Sequence, residues 1–309
     1  MSDDLKKGLE GVLVAESALS DIDGDAGRLI YRGYTIEDLA REASYEEVLY
    51  LLWHGELPAA DDLEAFAEEM AGYRAVDDGV LDTVEELAAA EENPMAALRT
   101  ATSMLSAYDD GSEPGDRGAD LTRGMRITAK MPTIVAAYKR LRDGEAPVEP
   151  REDLSHAANF LYMLNGEEPD DTLAEVFDMA LVLHADHGIN ASTFAAMVTA
   201  STMSDIYSSV TSAIGTLKGG LHGGANQNVM RMLKEVDDSE KSAVEWVDDA
   251  LENGRRVPGF GHRVYNVKDP RAKILGEKSR DLGEAAGDYK WFSMSQAIEQ
   301  YMAENKDLA

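Results

Sequence analysis

The chain has 309 residues, 44% of them hydrophobic, so it is long enough for two domains and can bury a sizeable core. It has no cysteine, which excludes disulfides and thiolate chemistry, and no run of 18 apolar residues that could span a membrane. The first residues, MSDDLKK, lead into no apolar signal core, so we expect a cytoplasmic protein without a membrane partner.

Acidic residues dominate the charge: 59 Asp and Glu against 29 Lys and Arg give a net charge of −30. The acidic groups repel one another in dilute buffer, and concentrated salt screens this repulsion. It also argues against nucleic acid as a partner. Because the acids are spread along the whole chain, we interpret them as the surface of a salt-adapted protein; the alternative is an acidic enzyme without salt adaptation.

The first elements in chain order are a small β-structure and a series of helices. Residues 11–34 combine β-formers with an Asp-Gly turn, which predicts short strands. Ser44 and Glu47 form a capping box for a helix that ends near Gly55. Asn93 followed by a proline predicts another helix start. The fold class is therefore all-α with a small N-terminal β element.

The second half of the chain continues the helical pattern. Pro132 is interpreted as a helix start, residues 155–166 as a short helix, and residues 190–217 as one long helix. Glycines then interrupt the pattern, so we place a domain boundary after Lys218. The expected division is a large helical domain, 1–218, and a small domain, 219–309.

Four of the six histidines lie in three short motifs. His184 and His187 are three residues apart at the end of an apolar helical stripe, so both rings are expected to point inward. As a His-x-x-His pair they could hold a metal, but no third ligand occurs at a recognisable spacing. His222 lies between glycines that permit close approach of a ligand, just before a helix start.

The third motif is basic. Residues 253–273 contain six Lys and Arg and one Asp, in a chain that is otherwise strongly acidic. Such clustering predicts a site for a polyanion, either a phosphate-bearing cofactor or a dicarboxylate. The loop before His262 also offers exposed backbone amides and the aromatic ring of Phe260.

These motifs, in this order and spacing, resemble the citrate synthase family. The similarity covers the whole chain and is carried by Ile-Tyr-Arg-Gly-Tyr (30–34), Asn-Pro-Met-Ala-Ala-Leu-Arg-Thr (93–100), His-Ala-Asp-His-Gly (184–188), Leu-His-Gly-Gly-Ala-Asn (221–226), Val-Pro-Gly-Phe-Gly-His-Arg-Val-Tyr (257–265) and Asp-Pro-Arg (269–271). The resemblance implies a two-domain, almost all-helical homodimer with the active site in a cleft. It also implies condensation of acetyl-CoA with oxaloacetate and water to citrate and CoA, with CoA as co-substrate, no permanently bound cofactor and no metal.

The resemblance assigns roles to individual residues. His222 matches the donor that meets the thioester oxygen as the enol forms, and His262 the group that polarises the ketone of oxaloacetate. His187 matches a hydrogen-bond donor to oxaloacetate, and Arg271 the guanidinium that holds its carboxylate. The loop of Arg256, Val257, Pro258, Gly259 and Phe260 matches the backbone that recognises the CoA adenine.

One catalytic group has no match. The family's carboxylate base lies beyond the Asp-Pro-Arg motif, with two further arginines and returning helices, whereas Asp281, Asp288 and Asp307 lie in no such context. We therefore expect the 309-residue chain to be a truncated form that lacks activity.

Three alternatives stay open. A 2-methylcitrate synthase would use propionyl-CoA, a difference of one methylene that motifs do not reveal. A metal hydrolase built on His184, Asp186 and His187 would leave the glycine-rich and arginine-rich motifs unexplained. A non-catalytic CoA-binding relative would agree with the unmatched base.

Overall fold

The computed structural model describes residues 12–109, 115–220, 222–261 and 264–306. The N-terminal strands are β1 (Ser20–Asp23), β2 (Arg28–Tyr31) and β3 (Tyr34–Thr35), joined in one antiparallel sheet of order β1-β2-β3. Ser20 pairs with Tyr31 and Ile30 with Thr35. The β-structure predicted within residues 11–34 is confirmed for residues 20–35.

The rest of the described chain is almost entirely helical. Its α-helices are α1 (Ile36–Glu42), α2 (Tyr45–His54), α3 (Ala60–Gly72), α4 (Asp78–Ala89), α5 (Pro94–Met104), α6 (Arg117–Arg142), α7 (His156–Asn165), α8 (Asp171–His184), α9 (Ala191–Ala200), α10 (Ile206–Leu217), α11 (Ala225–Asp237), α12 (Ala243–Glu252), α13 (Pro270–Ala286) and α14 (Lys290–Lys306). None of these helices is long and apolar enough to cross a bilayer.

Capping side chains explain most helix starts. Ser44 accepts the backbone N–H of Glu47 while the Glu47 carboxylate accepts that of Ser44, which confirms the predicted capping box. Asn93 caps α5 ahead of its proline, also as predicted. Gly55 ends α2 in the left-handed conformation, with φ of 100°.

Two helix predictions were wrong. Pro132 lies inside α6 and does not start it, because buried residues such as Ile127 and Ile134 on both sides keep the helix packed through the proline. The helix expected over residues 190–217 is two helices, since Met203 has a positive φ of 63° and Asp205 caps α10.

Apolar side chains form several buried clusters. One cluster joins β2, α1, α2 and α8 and includes the fully buried Leu29 and Leu183. Ile274 and Leu275 of α13 pack against it. Another cluster draws its residues only from positions 229–302, among them Trp246 and Ile298. The first cluster matters for function because it fixes the end of α8, from which the candidate site begins.

Candidate functional site

The turn after α8 is held by a buried tyrosine. Tyr31 of β2 donates its hydroxyl to the carbonyl of Asp186 at 2.7 Å and accepts the Asp186 N–H at 3.2 Å. Asp186 in turn accepts the N–H of Gly188 at 2.9 Å, and Gly188 has a φ of 66° that favours glycine. Burial raises the pKa of Tyr31 to about 12, so its hydroxyl stays protonated. The backbone around His187 is therefore fixed without a ligand.

His187 contacts a second tyrosine from a distant segment. Its Nε2 lies 3.2 Å from the hydroxyl of Tyr265, and the two rings meet edge to face with centroids 5.5 Å apart. Tyr265 is almost fully buried, and burial raises its pKa to about 12. The first and third sequence motifs thus meet at this pair of side chains.

Arg271 is anchored at the start of α13. Asp269 caps this helix and accepts the side chain of Arg271 twice, at 3.0 Å from Nε and 2.6 Å from Nη2. Burial tends to raise the pKa of Asp269, but the hydrogen bonds and charge of Arg271 outweigh it and hold the pKa below its usual value; the charge of His187 acts in the same direction. The guanidinium is therefore oriented in advance beside the histidine.

The N-terminal hairpin fastens the loop that carries Tyr265. The backbone N–H of Asn266 donates to the carbonyl of Gly24 at 3.0 Å, and its side chain donates to Asp25 at 2.6 Å. A Cβ on Gly24 would lie 1.9 Å from the carbonyl oxygen of Val264, so only glycine allows this close approach. The hairpin thus takes part in positioning the site.

His222 lies on a glycine-rich turn between α10 and α11. Its Nε2 is 2.7 Å from the hydroxyl of Ser192, near the start of α9. A Cβ on Gly223 would lie 2.4 Å from the carbonyl oxygen of Leu217, which explains a glycine beside the histidine. Ser192 is five residues after His187, so the Cα atoms of these two residues are at most about 18 Å apart.

The predicted adenine loop combines exposed backbone with buried side chains. Arg256 is exposed, whereas Val257 is buried and Phe260 packs partly against the cluster of positions 229–302. Gly259 and Gly261 have φ of 99° and 77°, so the loop turns sharply twice. Gly259 is exposed, whereas the ring of Phe260 is half-buried against that cluster and is less exposed than the sequence suggested.

The basic segment is less positive in three dimensions than along the sequence. Arg255 pairs with Glu235 at 2.8 Å, Lys268 pairs with Glu299, and Arg271 pairs with Asp269. Glu235 belongs to α11 and Glu299 to α14, so both carboxylates lie outside residues 253–273 and do not enter the charge of that segment. The segment is therefore partly neutralised, and Arg271 is the cation held beside the candidate site.

The structure links His187 to Arg271 through Asp269, whose carboxylate bonds Arg271 and is affected by the charge of His187. His222 contacts Ser192, five residues after His187. His262 lies outside the described residues. The expectation for His184 was wrong: α8 ends at this residue, its side chain is exposed, and its Nδ1 lies 2.6 Å from the carbonyl of Ala180 in its own helix. Within the described ranges no group of three His, Cys, Asp or Glu residues could hold a metal.

The downstream acids that were considered as a base lie elsewhere. Asp281 is exposed and contacts Arg280 at 3.1 Å. Asp288 is exposed and accepts the N–H of Lys290 at 2.9 Å. Asp307 lies outside the described residues. The contacts of these two acids are therefore with residues other than the tyrosines and histidine of the site.

Sequence reasoning missed four supporting residues: Tyr31, Ser192, Tyr265 and Asp269. Tyr31, Tyr265 and Asp269 lie inside the quoted motifs, and the Asp-Pro pair is a signal for a helix cap that could have identified Asp269. No local signal distinguishes Ser192 from other serines. Its role depends on the meeting of α9 with a turn thirty residues later.

A separate group of buried polar side chains lies between α2, α7 and α8. The N–H of His156 donates to Glu46 at 2.8 Å, and the N–H of Tyr45 donates to Asp178 at 3.0 Å. Burial, followed by the charge of Glu46, raises the pKa of Asp178 to about 7. His156 and Tyr45 also line an apolar cavity of about 590 Å³. No predicted site residue lines that cavity, so we do not place the chemistry there.

The chain is similar to known proteins over nearly its whole length. A family profile described as citrate synthase, C-terminal domain, matches residues 8–309. The citrate synthase of Haloferax volcanii is 69% identical over 312 residues, which cover 100% of this chain and 82% of the relative. A 2-methylcitrate synthase of Mycobacterium tuberculosis is 41% identical, over 97% of this chain and 75% of its own.

Two solved structures are similar over nearly the whole chain. Citrate synthase from Pyrobaculum aerophilum has a TM-score of 0.88 and 43% identity, covering 97% of this chain and 76% of that chain. The Thermoplasma acidophilum enzyme, solved as a ternary complex with carboxymethyl coenzyme A and oxaloacetate, has a TM-score of 0.90 and 30% identity, covering 96% and 78%.

Proposed function

The chain belongs to the citrate synthase family and has citrate synthase function, and from this premise we propose that oxaloacetate binds between His187 and Arg271. Two observations carry the proposal: His187 contacts Tyr265, and Arg271 is held by Asp269, four residues further along the chain. The charge of His187 also acts on the Asp269 carboxylate. A dicarboxylate needs a fixed guanidinium and neutral hydrogen-bond donors close to it, and this group supplies both.

We propose that the other two motif histidines act at the reactive end of the site. We assign His222 to the thioester oxygen of acetyl-CoA, where a donor stabilises the charge of the developing enol. Its contact with Ser192 supports this role, because a held imidazole costs no reorganisation during the reaction. His262 is assigned by resemblance to the ketone oxygen of oxaloacetate, which must be protonated as the new bond forms.

The loop from Arg256 to Phe260 is proposed to receive the adenine of CoA. Its two sharp turns, at Gly259 and Gly261, and the exposed side chain of Arg256 support this role. CoA enters and leaves as co-substrate, and the proposal needs no permanently bound cofactor. The ternary complex of the Thermoplasma acidophilum enzyme holds a CoA analogue and oxaloacetate together, which supports a joint site here.

Proton removal from the acetyl methyl group requires a base, and we assign it to none of the described residues. The test is oxaloacetate-dependent release of CoA from acetyl-CoA, followed with a thiol reagent in molar KCl. The cysteine-free chain gives no background in that assay. Release supports condensation by this chain. Binding of both substrates without release supports the non-catalytic alternative.

The same assay, run with acetyl-CoA and with propionyl-CoA, tests which acyl group the chain prefers. We propose acetyl-CoA over propionyl-CoA, since the chain is 69% identical to a citrate synthase and 41% identical to a 2-methylcitrate synthase. One methylene is worth about 1–3 kcal/mol in such a pocket. Faster release from propionyl-CoA would support the 2-methylcitrate alternative. Loss of activity with a chelator would support a metal hydrolase.

We propose the division into a large domain, 1–218, and a small domain, 219–309. The cluster formed only by positions 229–302 supports a separate core in the second part. Ile274 and Leu275 of α13 pack against the cluster that contains Leu29 and Leu183, so the two proposed domains contact each other next to Arg271.

We also propose a homodimer through the face that contains α9. No residue of α9 is buried within the chain, and Val198 and Met203 are 51% and 66% exposed. Such a face is expected to be covered by a second copy. Light scattering of the purified chain in KCl would show twice the chain mass; a monomer would contradict the assignment.

A salt-rich cytoplasm is the proposed compartment. The net charge of −30 and the 69% identity to the Haloferax volcanii relative support salt adaptation.

A further inference from the structure

We propose that Asp25 and Asn266 form a latch whose closing is coupled to the binding of oxaloacetate, with Asn266 as a positioning residue. The latch joins the turn of the N-terminal hairpin to the loop of residues 264–268, which leads into Asp269 and Arg271. The inference rests on the proposed binding of oxaloacetate next to Arg271. It adds a contact at the protein surface that affects how tightly the substrate is held.

Asn266 is bonded to the hairpin at two points, and the chemistry of its partners fixes the direction of both hydrogen bonds. Its backbone N–H donates to the carbonyl of Gly24 at 3.0 Å, and its side-chain amide donates to the carboxylate of Asp25 at 2.6 Å. A carbonyl and a carboxylate only accept, so the NH₂ group of the amide is the one that faces Asp25. A bond to a carboxylate is charge-assisted and is stronger than a bond between neutral groups.

The turn that receives Asn266 is formed by bonds within the hairpin. The carboxylate of Asp23 accepts the backbone N–H groups of Asp25 and Ala26 at 3.1 Å and 2.9 Å. Such local bonds from an Asp side chain stabilise a turn without help from distant residues. The next strand of the hairpin, β2, carries the fully buried Leu29, so the turn is attached to a rigid element. The acceptor side of the latch is therefore in place before the substrate binds.

The latch lies at the surface, whereas the residue beside it is buried. Asp25 and Asn266 are exposed, but Tyr265 is only 4% exposed and contacts His187. Exposed hydrogen bonds open more easily than buried ones, so we expect the latch to open before the buried contact does. Opening loosens the chain one residue from Tyr265 and five residues from Arg271. The latch is thus able to affect the site without touching the substrate.

Other contacts also hold the loop, so the latch supplies a share of its attachment. Val267 lies so close to the hairpin that a Cβ on Gly27 would be 2.8 Å from its Cγ2, and Lys268 pairs with Glu299 of α14. Linkage makes the share of the latch measurable. If closing the latch strengthens the binding of oxaloacetate, then bound oxaloacetate must favour the closed latch by the same factor.

Exchanging the two side chains separates the bond from the residues that form it. Asn266→Asp replaces the donor by a second carboxylate, which breaks the bond and adds a repulsion that acts at contact distance even in 1 M salt, where the Debye length is about 3 Å. The exchanged pair, Asp25→Asn with Asn266→Asp, restores an amide–carboxylate bond in the reverse direction and keeps the wild-type net charge. The matched control is Asn305→Asp, which adds the same charge and removes an exposed amide bond to the carbonyl of Tyr301 in α14.

Two quantities are measured on the full chain in molar KCl. Calorimetry gives the dissociation constant of oxaloacetate, and hydrogen exchange at the backbone N–H of residue 266 reports how often its bond to Gly24 opens. For Asn266→Asp we expect about 3- to 10-fold weaker binding, the worth of one hydrogen bond. In the wild type, saturating oxaloacetate should slow the exchange by a similar factor. The exchanged pair should recover most of the lost affinity, and Asn305→Asp should bind like the wild type.

The outcomes separate the latch from the proposed function. Wild-type affinity in Asn266→Asp, or exchange that bound oxaloacetate leaves unchanged, would overturn the inference and leave the proposed function intact. An exchanged pair that binds as weakly as Asn266→Asp would also overturn it, because the bond would then not be the cause. If Asn266→Asp does not fold, recovery of folding and binding in the exchanged pair supports the latch. If the wild-type chain binds no oxaloacetate, the proposed function fails, and exchange in the ligand-free variants still decides whether the side-chain bond holds the loop on the hairpin.

Discussion

Replacing Gly24 by alanine tests whether the N-terminal hairpin positions the substrate loop. The new Cβ would lie 1.9 Å from the carbonyl oxygen of Val264, whereas ordinary contacts begin at 3.4 Å, so hairpin and loop must separate by about 1.5 Å. That oxygen belongs to the backbone and cannot rotate away. The loop carries Tyr265 and leads directly into Asp269 and Arg271.

The size of the effect follows from the cost of overpacking. Inserting a methyl group into a packed contact costs about 1–3 kcal/mol, and each 1.4 kcal/mol is a factor of ten in affinity. We therefore expect Gly24→Ala to weaken oxaloacetate binding by about 5- to 100-fold. Loss of the bond between Asn266 and Gly24 contributes to the same change.

Calorimetry with oxaloacetate in molar KCl, together with thermal unfolding, measures the effect. The matched control is Gly276→Ala, a position inside α13 where a Cβ would meet nothing within 4 Å. This variant should bind oxaloacetate like the wild type and gain roughly 0.5–1 kcal/mol in stability, because alanine is the better helix former. Wild-type affinity in Gly24→Ala would refute a positioning role for the hairpin.

Three further predictions concern charge. Arg271→Lys should weaken oxaloacetate binding by at least about tenfold and leave acyl-CoA binding unchanged, because lysine cannot reproduce the two-point contact with Asp269; equal oxaloacetate affinity in a titration would contradict it. Asp178 has a folded pKa of about 7, above its ordinary 3.8, so its contribution to stability is complete below pH 3.8 and is lost as pH rises through 7. In Asp178→Asn, the free energy of unfolding measured by denaturant titration should fall less between pH 3.8 and 7 than in the wild type. An equal fall in both proteins would contradict this role of Asp178. Raising KCl from about 0.1 M into the molar range should raise the unfolding temperature, since screening relieves the repulsion of a −30 charge; a chain equally stable at low salt would not be salt-adapted.

Local signals in the sequence identified the hairpin and several of the helix starts. Ser44 with Glu47, and Asn93 with Pro94, act within one turn of the chain, so their structures follow from neighbouring residues. Pro132 shows the limit of such signals. Its effect on α6 is decided by side chains of other helices packed on both sides of it, which local sequence does not contain.

The candidate site was predictable in its parts but not in its contacts. His187 and Arg271 were identified through the resemblance, and the structure shows His187 in contact with Tyr265 and Arg271 paired with Asp269. The hydrogen bond between His187 and Tyr265 spans 78 residues, and the acids that pair with Arg255 and Lys268 come from other helices. Both depend on packing over long distances along the chain, so neither composition nor motif spacing could reveal them.

The most direct test of the oxaloacetate assignment is a crystal structure of this chain grown with oxaloacetate in concentrated KCl. We predict electron density for the substrate with one carboxylate on the guanidinium of Arg271 and an oxygen within hydrogen-bond distance of His187, next to Tyr265. Oxaloacetate bound elsewhere, or bound without contact to either residue, would contradict the central claim.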